Sequence, residues 1–225
     1  MRHLELKALA GLLNLVVVLG LSLFLPAMTL DYWQAWVFLG VFTACVLAIT
    51  VHLMVHDPGL LQRRMQVGPV AEVRPRQKIV QSFASIAFLA LFVVSSLDHR
   101  FGGSEMPVPI VAGGDLLVAL GLLGVFQVFR QNSFTSATIE VVGHQHLVCT
   151  GPYARVRHPM YAAALVMLSG VPLALGSWWG LPVLVPMTLV IVGRLLDEER
   201  LLERDLAGYR EYRDRVRYRL VPGVW

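Results

Sequence analysis

The sequence predicts an all-α integral membrane protein, and three observations predict it. Of 225 residues, 56% are hydrophobic and only 15% charged, whereas soluble domains carry about 25% charged residues. The mean hydropathy is +0.63. The apolar residues gather into runs near the ~20 residues that a helix needs to cross the hydrocarbon. Formal charge is +4, and nearly all of the basic residues are arginine. They lie beside the apolar runs and not on a separable domain, which argues against a nucleic-acid partner and for contact with lipid headgroups.

The elements follow in order. The first run, about 6–26, comes after "MRHLELK" and is too long for a signal-peptide core, with no small-residue cleavage site behind it; it reads as a first span. Runs at 33–55, 79–98 and 108–130 give three more. The fifth, 160–195, is nearly twice the required length and is interrupted by "GVPLALGSWWGLP". Gly170, Pro172, Gly176, Gly180 and Pro182 favour a turn there, and Trp178 and Trp179 suit an interface, as do Trp33 and Trp36. A helical hairpin makes six crossings; one tilted, kinked helix makes five. Residues 1–130 read as a transmembrane scaffold of four helices, and 131–225 as the region that carries chemistry.

Orientation follows from arginine. Arg63, Arg64, Arg74, Arg76 and Lys78 fall in the connection 56–78, Arg155 and Arg157 in 131–159, and more arginines in the tail. The opposite connections hold only Arg100. The positive-inside rule puts both termini and the two arginine-rich connections in the cytoplasm. Within the spans, Asn14 and Gln127 are expected to face other helices. His52, His56 and His99 have no partner at a meaningful spacing. Cys45 and Cys149 read as inert thiols, and no His/Cys spacing offers a metal site.

The chemistry lies between residues 130 and 225. "TIEVV" and "HLVCT" are short β-prone stretches, Gly151-Pro152 marks a turn, and Pro159 suits the first turn of a helix. His158 then lies at a helix N-terminus, where free N–H groups favour an anion. Arg194 and Glu198, four residues apart, share a helix face, while Asp197 and Glu199 point elsewhere. If 160–195 is a hairpin, His158, Tyr161, Arg194 and Glu198 converge at the cytoplasmic boundary. Arg155 and Arg157 read as topology determinants touching lipid phosphate.

Five motifs occur in sequence: Gln145-His146-Leu147-Val148, Gly151-Pro152-Tyr153, Arg157-His158-Pro159-Met160-Tyr161, Arg194 to Glu198, and Tyr209 to Tyr212. In this order and spacing the segment resembles the isoprenylcysteine carboxyl methyltransferases and the related phospholipid methyltransferases. The resemblance implies an integral-membrane methyltransferase that uses S-adenosyl-L-methionine, acts without a metal, and takes a lipophilic acceptor such as a prenylcysteine-like or isoprenoid carboxylate. It implies a cytoplasmic cofactor-binding loop in which Gln145, His146, Leu147 and Val148 line the adenosine. Tyr153, His158 and Tyr161 would hold the methionine end, with Pro159 and Met160 in the same motif. Glu198 would face the ammonium or sulfonium, and Arg194 the acceptor; these two are the candidate catalytic residues, with Arg215 a second acceptor-side candidate. The absence of a G-x-G-x-x-G behind a strand agrees with a non-Rossmann cofactor site. Two other readings compete. Membrane sterol reductases, which use NADPH, share a similar Arg-His-Pro-x-Tyr and tail, and a non-catalytic membrane scaffold would keep the same fold.

Overall fold

Long apolar stretches without interior proline have one way to satisfy their backbone in lipid, which is the helix. The computed structural model describes residues 2–65, 72, 75–135 and 147–225, with the side chains of Arg2 and Arg76 excepted. It forms α1 (Arg2–Ala27), α2 (Trp33–His56), α3 (Pro58–Arg64), α4 (Pro75–Phe101), α5 (Val108–Gln131), α6 (Pro159–Ala174), α7 (Leu184–Asp205) and α8 (Tyr209–Arg215). Among the described residues there is no strand. Four helices, α1, α2, α4 and α5, are long and apolar enough to cross a membrane, and α6 is apolar but shorter at 16 residues. The chain is therefore an all-α membrane protein, as expected.

The run 160–195 is a hairpin. α6 ends at Ala174, a turn with Gly176 at φ +69° follows, and the chain comes back through a short 3-10 helix (Leu181–Val183) into α7. The turn reaches the same end as the other two connections with few charges. Tyr32, ahead of α2, donates from Oη to Leu175 O at 2.7 Å. Asp98, near the end of α4, accepts from Ser104 Oγ at 2.7 Å and Ser177 Oγ at 2.6 Å. A single kinked helix is thus excluded, and the chain runs six times between the two ends.

Close packing holds the hairpin. α6 lies antiparallel against α5 at a distance that only glycine permits. A Cβ on Gly114 would stand 2.2 Å from Ala174 N, one on Gly121 2.4 Å from Met167 N, and one on Gly170 2.5 Å from Gly114 O. Small residues at such seams let backbones approach and gain dispersion contact, the main attraction left when the solvent is itself apolar. The principal core, including Leu19, Leu23, Phe38, Phe92, Leu168 and Val171, lies among α1, α2, α4, α5 and the hairpin.

Several expectations are corrected. Asn14 and Gln127 are exposed on the outer faces of α1 and α5, so neither faces a neighbouring helix. His99 stacks on Tyr32 with ring centroids 3.9 Å apart, and His52 stacks on His56 at 4.2 Å, so all three histidines do have partners. The stretch 136–146, which includes "TIEVV", lies outside the described residues. Leu147, Val148 and Cys149 are irregular chain, not strand. Leu147 and Cys149 pack beside Tyr209 and Tyr212 of α8, and that contact takes the place of strand pairing. Trp33, Trp36, Trp178 and Trp179 are exposed at the turn end, as aromatic-belt anchors are.

Candidate functional site

At the arginine-rich end the chain leaves α5 and returns to α6 through Gly151. Its φ of +61° is left-handed, which favours glycine, and a Cβ there would press on the Gln131 side chain at 3.0–3.2 Å. Pro152 then opens a 3-10 turn (Gly151–Ala154) that presents Tyr153. Asn132 donates from Nδ2 to Tyr153 Oη at 3.1 Å, and Tyr212 Oη donates to Tyr153 O at 2.8 Å. Burial pushes the Tyr153 phenol up to about 12, with Asn132 and Arg64 opposing and Glu198 reinforcing the shift. It is a neutral hydrogen-bonding group at any physiological pH.

Beyond Val156 two residues pair with the C-terminal tail. Arg157 N donates to Tyr218 O, and His158 N to Arg219 O, each at 2.9 Å. Both side chains are buried and converge on Glu199 of α7. Arg157 Nε donates to Glu199 Oε1 at 2.7 Å, His158 Nε2 lies 3.2 Å from the same oxygen, and Arg219 Nε donates to Oε2 at 2.8 Å. The second arm of Arg157 is used as well, with Nη1 donating to Val216 O and Arg217 O at 2.8 Å. Burial pushes the Glu199 carboxyl up, but the hydrogen bonds from His158, Arg157 and Arg219 outweigh it and hold the group at about 2. His158 is the N-cap residue of α6, yet its ring does not cap the helix. It is committed to Glu199.

One turn into α6, Tyr161 Oη donates to Glu198 Oε2 at 2.5 Å, joining the two arms of the hairpin. Arg194 Nη1 reaches Glu72 Oε1 and Gln81 Oε1, both at 2.8 Å, and Gln77 Nε2 donates to Asp197 Oδ2 at 2.5 Å. Arg64, at the end of α3, faces Tyr161, Arg194, Tyr153 and Glu198 with its charge, and its guanidinium stands 4.8 Å over the Phe129 ring. Burial is the largest influence on that guanidinium and lowers its proton affinity. Tyr209 Oη is buried and has no hydrogen-bond partner among the described residues, and its ring is buried close to Glu199, Arg157 and Glu198.

Most of the expected residues meet. Tyr153, His158, Tyr161, Arg194 and Glu198 occupy one end of the bundle, with Pro159 and Met160 in the first turn of α6. Leu147 packs with α8 beside Tyr153. Gln145 and His146 lie outside the described residues. Arg215 is exposed at the end of α8, and Arg219 is the tail arginine that reaches the cluster. Arg194 and Glu198 share a face and both engage Tyr161, while Arg194 also reaches Glu72 and Gln81. Arg157, expected to touch lipid phosphate, is buried in an ion pair, whereas Arg155 is exposed. Glu199 and Arg219 were missed, and so was Arg64, which had been counted with the topology arginines. The adjacent pair Glu198-Glu199 was a usable signal, because neighbours on a helix point about 100° apart and serve two different clusters. Nothing in the local sequence singled out Glu72, Gln77 or Gln81.

Residues 109–207 match the family model for phospholipid methyltransferases. The matched stretch runs from α5 to the end of α7 and includes Tyr153, Arg157 to Tyr161, Arg194, Glu198 and Glu199. It bears out the resemblance drawn from the motifs and indicates a membrane methyltransferase. No curated protein matches the chain.

Proposed function

We propose that this membrane protein, matched over residues 109–207 to phospholipid methyltransferases, transfers a methyl group from S-adenosyl-L-methionine to a lipophilic acceptor at the cytoplasmic face of the membrane. The observation that carries this reading is the Tyr161–Glu198 hydrogen bond. It fixes a carboxylate of one hairpin arm against a phenol of the other, where the bundle's polar end meets its apolar body. The residues suit the cofactor. Glu198 is an anion fit for an ammonium or sulfonium, and the buried Tyr209 hydroxyl lacks a partner of its own among the described residues. Leu147, Val148, Tyr153, His158, Pro159, Met160 and Tyr161 would complete the cofactor side, with Gln145 and His146 on the adjoining loop.

The bound cofactor supplies a methyl group on a positively charged sulfur. The protein's own part is positioning and exclusion of water. Glu199 fixes Arg157, His158 and Arg219 in one buried node, which makes a rigid wall and spares the site a search through conformations. Glu198 would orient the cationic centre, and Arg194, one helical turn before it, would hold the acceptor's anion. In-line transfer to an anionic nucleophile annihilates charge, so removing water from both reactants favours it. No metal ligand group occurs among the described residues, and this displacement does not call for one.

Support for a lipophilic acceptor comes from the α4–α7 seam. An apolar groove of about 480 Å³, lined by Phe83, Ile86, Ala87, Ala90, Pro182, Val183, Pro186 and Val190, opens on the lipid-facing surface. Val190 lies one turn from Arg194 on the same helix face. A prenylated or acylated carboxylate suits this arrangement, and Arg215 is a candidate for headgroup contact at the water-facing rim.

Calorimetric titration of detergent-purified protein with S-adenosylhomocysteine tests the reading, with NADPH titrated in parallel. We expect micromolar binding of S-adenosylhomocysteine, weakened at least tenfold in Glu198→Gln, a loss of about 1.4 kcal/mol or more. Binding of NADPH alone would transfer the protein to the reductase class, and binding of neither would leave a scaffold.

A further inference from the structure

We propose that the outer face of α1 is a homodimer interface within the membrane, at which Asn14 of one copy hydrogen-bonds to Asn14 of the other; the inference is independent of the methyltransferase reading. α1 gives one face to the bundle, where Ala8, Leu19, Leu23 and Ala27 are buried. On the opposite face Ala10, Asn14, Val17, Leu21, Phe24 and Met28 recur at alternating spacings of four and three. That is the seam of a left-handed helix pair. All six are exposed except Phe24, which is half-buried. A hollow of about 670 Å³ on this side, lined by Val17, Leu21, Phe24 and Met28 and bare at Gly20, is open to the knobs of a facing helix.

Asn14 decides the occupant. From Lys7 to Met28 a helix rises about 31 Å, close to the thickness of the hydrocarbon, and Asn14 lies about 10 Å inside it. Its short side chain cannot reach back to the headgroups. It is exposed and makes no side-chain hydrogen bond among the described residues. An unpaired amide in hydrocarbon is costly, and neither lipid tails nor water can answer it at that depth. The positive-inside rule inserts every copy the same way round, and a two-fold axis along the membrane normal keeps each residue at its own depth. A residue beside that axis meets its own copy. An amide is its own complement, because its carbonyl accepts what its NH2 donates. Gln127, also exposed on a span, makes no such demand. It stands three residues before Arg130, about 4.5 Å along the helix, and its longer side chain reaches the headgroups.

The test uses the full chain with Cys45→Ser and Cys149→Ser, labelled through Glu211→Cys with donor or acceptor fluorophores and mixed in phosphatidylcholine vesicles. Energy transfer should fall as lipid dilutes the protein and so yield a dissociation constant. Asn14→Leu should raise that constant about tenfold, Asn14→Gln should keep most of the affinity, and Gln127→Leu should leave it unchanged. Because Asn14 is exposed, the leucine variant should melt at the wild-type temperature. In the same background without Glu211→Cys, oxidation in native membranes should link copies through Leu21→Cys and not through Leu120→Cys, which is exposed on the outer face of α5. No energy transfer at any protein-to-lipid ratio, or a constant unmoved by Asn14→Leu, overturns the proposal. Linkage through Leu120→Cys as efficient as through Leu21→Cys overturns it as well.

Discussion

Glu199 accepts from two guanidiniums, with the His158 imidazole against the same carboxylate, yet the sequence shows only the second of two adjacent glutamates. A carboxyl held near 2 in the fold, against about 4.5 when free, contributes stability that is fully present above pH 4.5. That stability is lost as the pH falls from there toward 2, and it is on the order of 3 kcal/mol. Thermal melts of purified protein should therefore fall steeply between pH 5 and 3, and Glu199→Gln should flatten this dependence. The same substitution should destabilise the protein by about 3–5 kcal/mol at pH 7, because it leaves Arg157 buried without its anion. A pH profile identical to wild type would show that the node does not carry the linkage. At this scale the sequence was only partly legible. Arg155 and Arg157 look alike two residues apart, and it is Glu199 together with the tail carbonyls of Val216 and Arg217 that makes one of them structural.

Helices are where the sequence was most legible, because length, apolarity and punctuation are local properties. The four long spans begin and end within a few residues of the expected positions, and the glycines and prolines between Gly170 and Pro182 do mark a reversal. α3 was not foreseen, since a seven-residue helix carries too little periodicity to stand out and owes its stability to Asp57 and to the packing of Leu60 and Leu61. The α5–α6 seam makes a sharp prediction. Gly121→Leu should disrupt the bundle by about 1–3 kcal/mol or more, because its Cβ alone would meet the Met167 backbone at 2.4–2.6 Å. Gly11→Ala and Gly40→Ala, which meet nothing within 4 Å, should be neutral or slightly stabilising, since alanine favours the helix. Monodispersity in detergent and melting temperature read both outcomes. A tolerated leucine at 121 would mean that the two helices do not approach this closely.

Viewed whole, the molecule separates its two tasks along its length. Hydrophobic packing with a small polar buckle at Asp98 holds the turn end, and ion pairs and hydrogen bonds drawn from Glu72, α4, the entry to α6, α7 and the tail build the other. The boundary near residue 130 does not divide the site, because Glu72, Gln77 and Gln81 from the N-terminal half hold Arg194 and Asp197. The arginine distribution predicts that this polar end faces the cytoplasm. With Cys45 and Cys149 replaced by serine, a membrane-impermeant maleimide should label Glu105→Cys on intact cells and Glu211→Cys only after permeabilisation. The reverse pattern would put the site on the wrong side for an intracellular cofactor.

The sequence by itself determined the class of molecule, the spans, the hairpin's breakpoint and the motifs of the polar end. Each of these depends on residues close together in the chain, and the bilayer imposes one length and one hydrogen-bonding solution on every span. Only the tertiary structure decided the partners: Glu198 with Tyr161, Glu199 with Arg157, His158 and Arg219, Arg194 with Glu72 and Gln81, and Arg64 turned inward. A charged side chain's partner depends on which helices meet and at what height, and those depend on seams such as Gly114 against Ala174. Such pairings join residues tens to more than a hundred positions apart, and no local pattern in one chain encodes them.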